Sequence, residues 1–203
     1  MTSPATPRDP LQDALLTPQN AALILIDYQP VQVTSVASMD RREMVTNVVA
    51  VTELAKLFGL PIVLSTVNVK SGKNQPTIHQ LQHVLPGQAS FDRTTINAWE
   101  DADFLAAVKD TGRKKLIMAA LWTEACLTFP ALDALKDGYE VYPVVDAVGG
   151  TSLKAHEAGL RRIEQAGAHP VGWVQLACEL QRDWQRASTA GKFAETLFAV
   201  EGH

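Results

Sequence analysis

From Lys114 to Asp146 the chain reads strand, turn, helix, strand, and that order admits few folds. Lys114-Lys115-Leu116-Ile117-Met118-Ala119-Ala120 passes from charged to continuously apolar, the pattern of a strand buried on both faces. Beyond Leu121-Trp122-Thr123-Glu124-Ala125-Cys126, residues Leu127, Leu132 and Leu135 recur at helical spacing until Gly138 stops them. Tyr139-Glu140-Val141-Tyr142-Pro143-Val144-Val145 is the following strand, closing on Asp146. Such βαβ units place reactive groups at the carboxyl ends of parallel strands, where loops and helix N-termini meet. Cys126 stands at that place.

The remaining text alternates in the same way. Asn20-Ala21-Ala22-Leu23-Ile24-Leu25-Ile26-Asp27 is a second buried strand ending in a carboxylate, which begins a turn or serves a site. Arg41 to Phe58 is a helix ended by Gly59, and Leu60 to Thr66 the next strand. Phe91 to Ile96 is a short strand, Glu100 to Lys109 a helix with an acidic start, Lys154 to Ala166 a helix. Ala168 to Val174 is read as a last strand, with helices over Glu179 to Arg186 and Lys192 to Val200. The expected fold is a three-layer α/β/α sandwich on a mostly parallel sheet of roughly six strands. Residues 19–203 form one domain, and the proline-bearing stretch 1–18 reads as a loose arm.

Composition narrows the function. At 203 residues, with 46% apolar and 20% charged residues, the chain is a folded globule. A formal charge of -4 with mixed signs leaves no footprint for nucleic acid or an anionic membrane. No apolar run approaches the roughly 20 residues that span a bilayer. The two cysteines, Cys126 and Cys178, read as reduced thiols in a cytosol. Gly149 and Gly150 belong to no phosphate-binding loop pattern, so no nucleotide cofactor is expected. His79 and His83 could share a helical face, but no further ligands stand near them, and they read as exposed polar residues. The irregular stretch Asn68 to Ala89 is long enough to line a site.

A thiol attacks as its thiolate, which helix N-termini and nearby cations favour. Thr123 as N-cap would set Cys126 in a first helical turn, among unsatisfied N–H groups able to hold an oxyanion. Pro130 removes the N–H that would bond the Cys126 carbonyl, so the helix should be irregular at Cys126 or begin after it. Cys178, within Gln175 to Leu180, reads as a buried structural residue.

Three stretches together resemble the isochorismatase-like cysteine hydrolases: Leu23 to Gln29, Arg93 to Trp99, and Thr123-Glu124-Ala125-Cys126 leading to Asp146. Asn97-Ala98-Trp99 and Ala177 to Trp184 are similar to the YcaC-related subgroup. The resemblance implies a nucleophile at Cys126, a base at Asp27, and a cation where this chain carries Arg93 instead of the family lysine. It implies a cis peptide at Leu121-Trp122 and an oxyanion hole from the backbone N–H groups of Trp122 and Cys126. It places Asn97 and Trp99 near substrate, and it implies homo-oligomers. Ala120 stands where the family has glycine. Thr66-Val67-Asn68 lacks the Asp-x-His ligands of the nicotinamidases, so no metal is expected and nicotinamide is disfavoured. The expected activity is cofactor-free cleavage of a C–N bond in a small non-peptide amide. Ester or vinyl-ether hydrolysis, and a silent binding or assembly subunit, stand as alternatives.

Overall fold

The computed structural model describes residues 8–201. Five parallel strands form one sheet: β1 (Ala21–Ile26), β2 (Ile62–Val67), β3 (Ser90–Arg93), β4 (Lys115–Ala120) and β5 (Glu140–Pro143). Their spatial order is β3-β2-β1-β4-β5. The chain therefore winds outward from β1 in one direction, then returns to β1's other side with β4. That reversal falls at the carboxyl ends of β1 and β4, the place where α/β sheets commonly bind ligands.

Every residue of β1 and β4 is buried, as expected for central parallel strands covered on both faces. One group of helices is α2 (Arg41–Leu57) with α3 (His79–Val84), α7 (Trp173–Gln181) and α8 (Ala190–Glu201). The other comprises α4 (Ala102–Asp110), α5 (Thr128–Lys136) and α6 (Leu153–Gln165), with α5 packed against α6. A short helix not anticipated from sequence, α1 (Pro30–Ser35), follows β1 and has Pro30 in its first turn.

The expected sixth strand is only rudimentary. His169 N–H donates to Val141 O at 2.8 Å, and Val171 bridges Val144. Pro170 has no N–H to extend the ladder, and Asp146 Oδ1 accepts from Trp173 N–H at 2.9 Å, starting α7 instead. That start lies six residues before the expected Glu179, and it turns Cys178 outward. Cys178 is exposed, contrary to the buried role read from sequence.

The loose arm also needs correction. Residues 1–7 lie outside the described residues, but residues 8–18 are fastened to the domain. Leu16 is fully buried and its N–H donates to Glu179 Oε2 at 2.7 Å. Lys115, at the buried start of β4, donates to Asp13 O at 2.7 Å and Ala14 O at 2.8 Å. A buried ammonium needs those acceptors, so the segment is held where they are. Asp13 pairs with Arg8 and, at 3.3 Å, with Arg182. No helix among the described residues is long and apolar enough to cross a membrane.

Candidate active site

Pairing of β1 with β4 sets Ile26 beside Ala120, so Asp27 and Leu121 leave the sheet as neighbours. Pairing of β2 with β3 sets Val67 beside Arg93. Three segments distant in sequence thus end at one place. Asp27 has a left-handed backbone, φ 61°, which a short polar residue tolerates. It turns the chain sharply enough for Gln29 N–H to reach Asp27 O at 2.8 Å.

Arg93 meets Asp27 through two bonds of 2.7 Å, Nη1 to Oδ1 and Nη2 to Oδ2. Both side chains are wholly shielded from solvent. Nη1 also donates to Ser65 Oγ at 3.2 Å and Thr66 O at 3.1 Å, and Nη2 to Ile96 O at 3.0 Å. Burial works against the Arg93 charge. The Asp27 carboxylate more than offsets it, so the guanidinium is held above its ordinary range. Ser65, a polar residue inside an apolar strand, was the unread signal of this arrangement.

Cys126 lies within hydrogen-bonding reach of Asp27 and is 7% exposed. Burial, and then the charge and hydrogen bond of Asp27, push its thiol up to about 12. Arg93 and the Trp122 N–H act in the opposite direction without overcoming them. Burial and the neighbouring carboxylate therefore favour the neutral thiol, against the thiolate that a helix N-terminus would favour.

The turn carrying Cys126 is π-helical over Thr123–Leu127, and α5 begins only at Thr128. Pro130 accounts for the widening, since it cannot donate to the Cys126 carbonyl. Leu127 N–H accordingly reaches Trp122 O, five residues back, at 3.2 Å. Trp122, and not Thr123, holds the cap position. The Thr123 hydroxyl pairs instead with His156 Nδ1 at 2.8 Å. The Leu121–Trp122 peptide is cis, and the Trp122 N–H acts to lower the Cys126 thiol.

Around these groups the chain is braced. Gln29, fully buried, accepts from Val67 N–H at 2.9 Å and donates to Gln75 O at 2.6 Å, tying β1 to the loop after β2. Trp122 Nε1 donates to Ser35 Oγ at 2.9 Å, so α1 leans on the residue preceding the turn. Asn97 and Trp99 are both held by bonds within the fold. Asn97 Oδ1 accepts from Trp99 N–H at 3.1 Å, and its Nδ2 donates to Asp133 Oδ2 at 2.7 Å. Trp99 Nε1 donates to Asp137 Oδ2 at 2.8 Å, and its ring meets Phe104 and Tyr139 edge-on. Both fasten the segment after Arg93 to α5. His79 and His83 are exposed on α3, and among the described residues no three His, Cys, Asp or Glu side chains converge as a metal set would.

The isochorismatase domain model matches residues 21–175. The chain belongs to the isochorismatase family. The probable hydrolase YcaC of Escherichia coli is 39% identical over 171 residues, covering 84% of this chain and 82% of that protein. YcaC from Pseudomonas aeruginosa, solved with hexane-2,5-diol and covalent acrylamide, superposes with a TM-score of 0.82 at 32% identity. That match covers 94% of this chain and 98% of the other. The E. coli YcaC structure, described as an octameric hydrolase of unknown specificity, matches at a TM-score of 0.81 and 33% identity over the same shares. The chain is thus a member of a hydrolase family with a YcaC-like fold.

Proposed function

We propose that this protein hydrolyses a small non-peptide amide through a thioester on Cys126, with no cofactor. One observation carries the reading: a buried thiol beside the Asp27 carboxylate, itself held by Arg93. A thiol of that kind keeps its proton at rest, and that proton has a destination in Asp27.

As sulfur attacks the carbonyl carbon, the S–H proton passes to Asp27. Arg93 cannot give up a proton at working pH, so it steadies the carboxylate without sharing the transfer. The tetrahedral oxyanion is met by the backbone N–H groups of Trp122 and Cys126. Collapse breaks the C–N bond, and the departing amine takes the proton from Asp27, leaving a thioester. Water then attacks the thioester carbon and returns a proton to Asp27. The second collapse frees the carboxylic acid, and the proton passes back to sulfur.

A relative that carries covalent acrylamide supports the view that small amides reach a site of this type. The octameric description of E. coli YcaC supports homo-oligomer formation here as well. A panel of short-chain amides, assayed by ammonia release, tests the reading. Turnover is expected in the parent and absent in Cys126→Ala. A Cys126→Ala protein that still released ammonia at the parent rate would reject the acyl-enzyme.

A further inference from the structure

Thr123 is fully buried, yet each of its polar groups is bonded. Its N–H donates to Gly149 O at 3.0 Å, and its carbonyl accepts from Thr128 Oγ1 at 2.6 Å. Its hydroxyl pairs with His156 Nδ1 at 2.8 Å. The peptide one residue earlier is that of Trp122, cis to Leu121, and its N–H acts to lower the Cys126 thiol. Thr123 is therefore the link between α6 and the donor that faces sulfur.

The seat on α6 is close. His156 lies in its first turn, and Gly159 one turn later lets the helix backbone meet the turn of Cys126. A Cβ at Gly159 would stand 3.0 Å from Thr128 Oγ1 and 3.1 Å from Glu124 Cα. Glu124 braces the same segment, accepting at Oε1 from Thr151 N–H at 3.0 Å and Thr151 Oγ1 at 2.6 Å. Packing alone would be met by an apolar pair of the same shape. The part-buried hydroxyl–imidazole bond adds direction, because the buried Thr123 hydroxyl left alone would lose its partner.

We infer that His156 is a positioning residue for Cys126, acting through Thr123 to fix the turn that aims the Trp122 N–H at sulfur. This rests on Cys126 being the nucleophile. Burial holds the His156 imidazole below its ordinary range, while Glu124 and Glu157 pull the other way. An uncharged ring suits the single bond it makes with the hydroxyl.

Acrylamide labelling of Cys126, followed by intact mass in a Cys178→Ser background, is the test, with thermal melts alongside. Thr123→Val and His156→Leu should each slow labelling roughly tenfold, in line with the cost of misplacing a reacting group. The double variant should be no slower than the slower single, since both remove one link. His156→Asn, whose amide reaches the place of Nδ1, and Thr123→Ser should stay within about threefold of the parent. Labelling of folded His156→Leu at or above the parent rate overturns the inference, as do single effects that multiply in the double. If His156→Leu fails to melt cooperatively, the isosteric Thr123→Val decides by the same criterion. Amide turnover persisting at the parent rate in Cys126→Ser would instead refute the nucleophile reading itself.

Discussion

Arg93 and Asp27 meet fork to fork, each guanidinium terminal nitrogen 2.7 Å from its own carboxylate oxygen, with both side chains sealed from water. A lysine at position 93 would offer a point charge to the same carboxylate, without the planar match. The fork fixes the plane of Asp27, and with it the direction in which Asp27 faces the thiol. Because Arg93 stays protonated, every proton leaving sulfur must reside on Asp27 or on substrate.

Removing one member of such a buried pair strands the other. Arg93→Met should destabilise the fold by about 3–5 kcal/mol, whereas Arg93→Lys, which keeps a charge, should cost clearly less. Urea melts measure both. A loss below about 1 kcal/mol for Arg93→Met would mean that the pair contributes no more than a surface ion pair.

The pH dependence of alkylation follows from the raised thiol. Protonation holds up to about 12, so the reactive thiolate fraction keeps growing as pH rises toward that value. In a Cys178→Ser background, iodoacetamide labelling of Cys126 should climb steadily from about pH 6 to about pH 10 without a plateau. The background matters because Cys178 is exposed and would label too. A plateau at neutral pH would mean a preformed thiolate and would contradict the neutral resting thiol.

Gly159→Ala tests the fit between α6 and the turn of Cys126. The added methyl would meet Glu124 N at 3.2 Å and Glu124 Cα at 3.1 Å, backbone atoms that can give little. Overpacking costs typically about 1–3 kcal/mol, and the gain in helix propensity returns only about 0.5–1 kcal/mol. A net loss near 1 kcal/mol and slower labelling of Cys126 are expected. A stabilised variant with unchanged labelling would show that the turn has room to move.

Much of this architecture was legible in the chain. Continuously apolar Leu23 to Ile26 and Leu116 to Ala120 could only be central strands, and the polar residues closing them marked the site end of the sheet. Pro130 foretold the irregular turn, which became a π-helical one. What escaped depends on partners far away in sequence. Asp146 captures the Trp173 N–H, ending the sixth strand early and turning Cys178 outward. Lys115 recruits the carbonyls of Asp13 and Ala14, so a proline-bearing arm is held down over residues 8–18. Asn97 is claimed by Asp133 on α5 and Trp99 by Asp137 just past its end, a demand that no local pattern records. His156 carried no signal beyond its place in an amphipathic helix.

Assembly is open to direct measurement. Phe198 and Trp184 remain exposed at 60% and 61%, apolar surface that a partner copy would cover. Sedimentation at micromolar concentration should show species well above the 22.0 kDa chain. A single monomeric boundary would refute homo-oligomer formation.

The most direct test of the covalent mechanism is intact-mass spectrometry of the protein quenched during turnover of small amides and esters. The parent is expected to gain the mass of one acyl group, on the peptide containing Cys126, and to lose it as product accumulates. Asp27→Asn, without its base, should form no adduct. An adduct mapped to any other residue, or amide turnover that never places an acyl group on Cys126 and survives Cys126→Ser, would contradict the account.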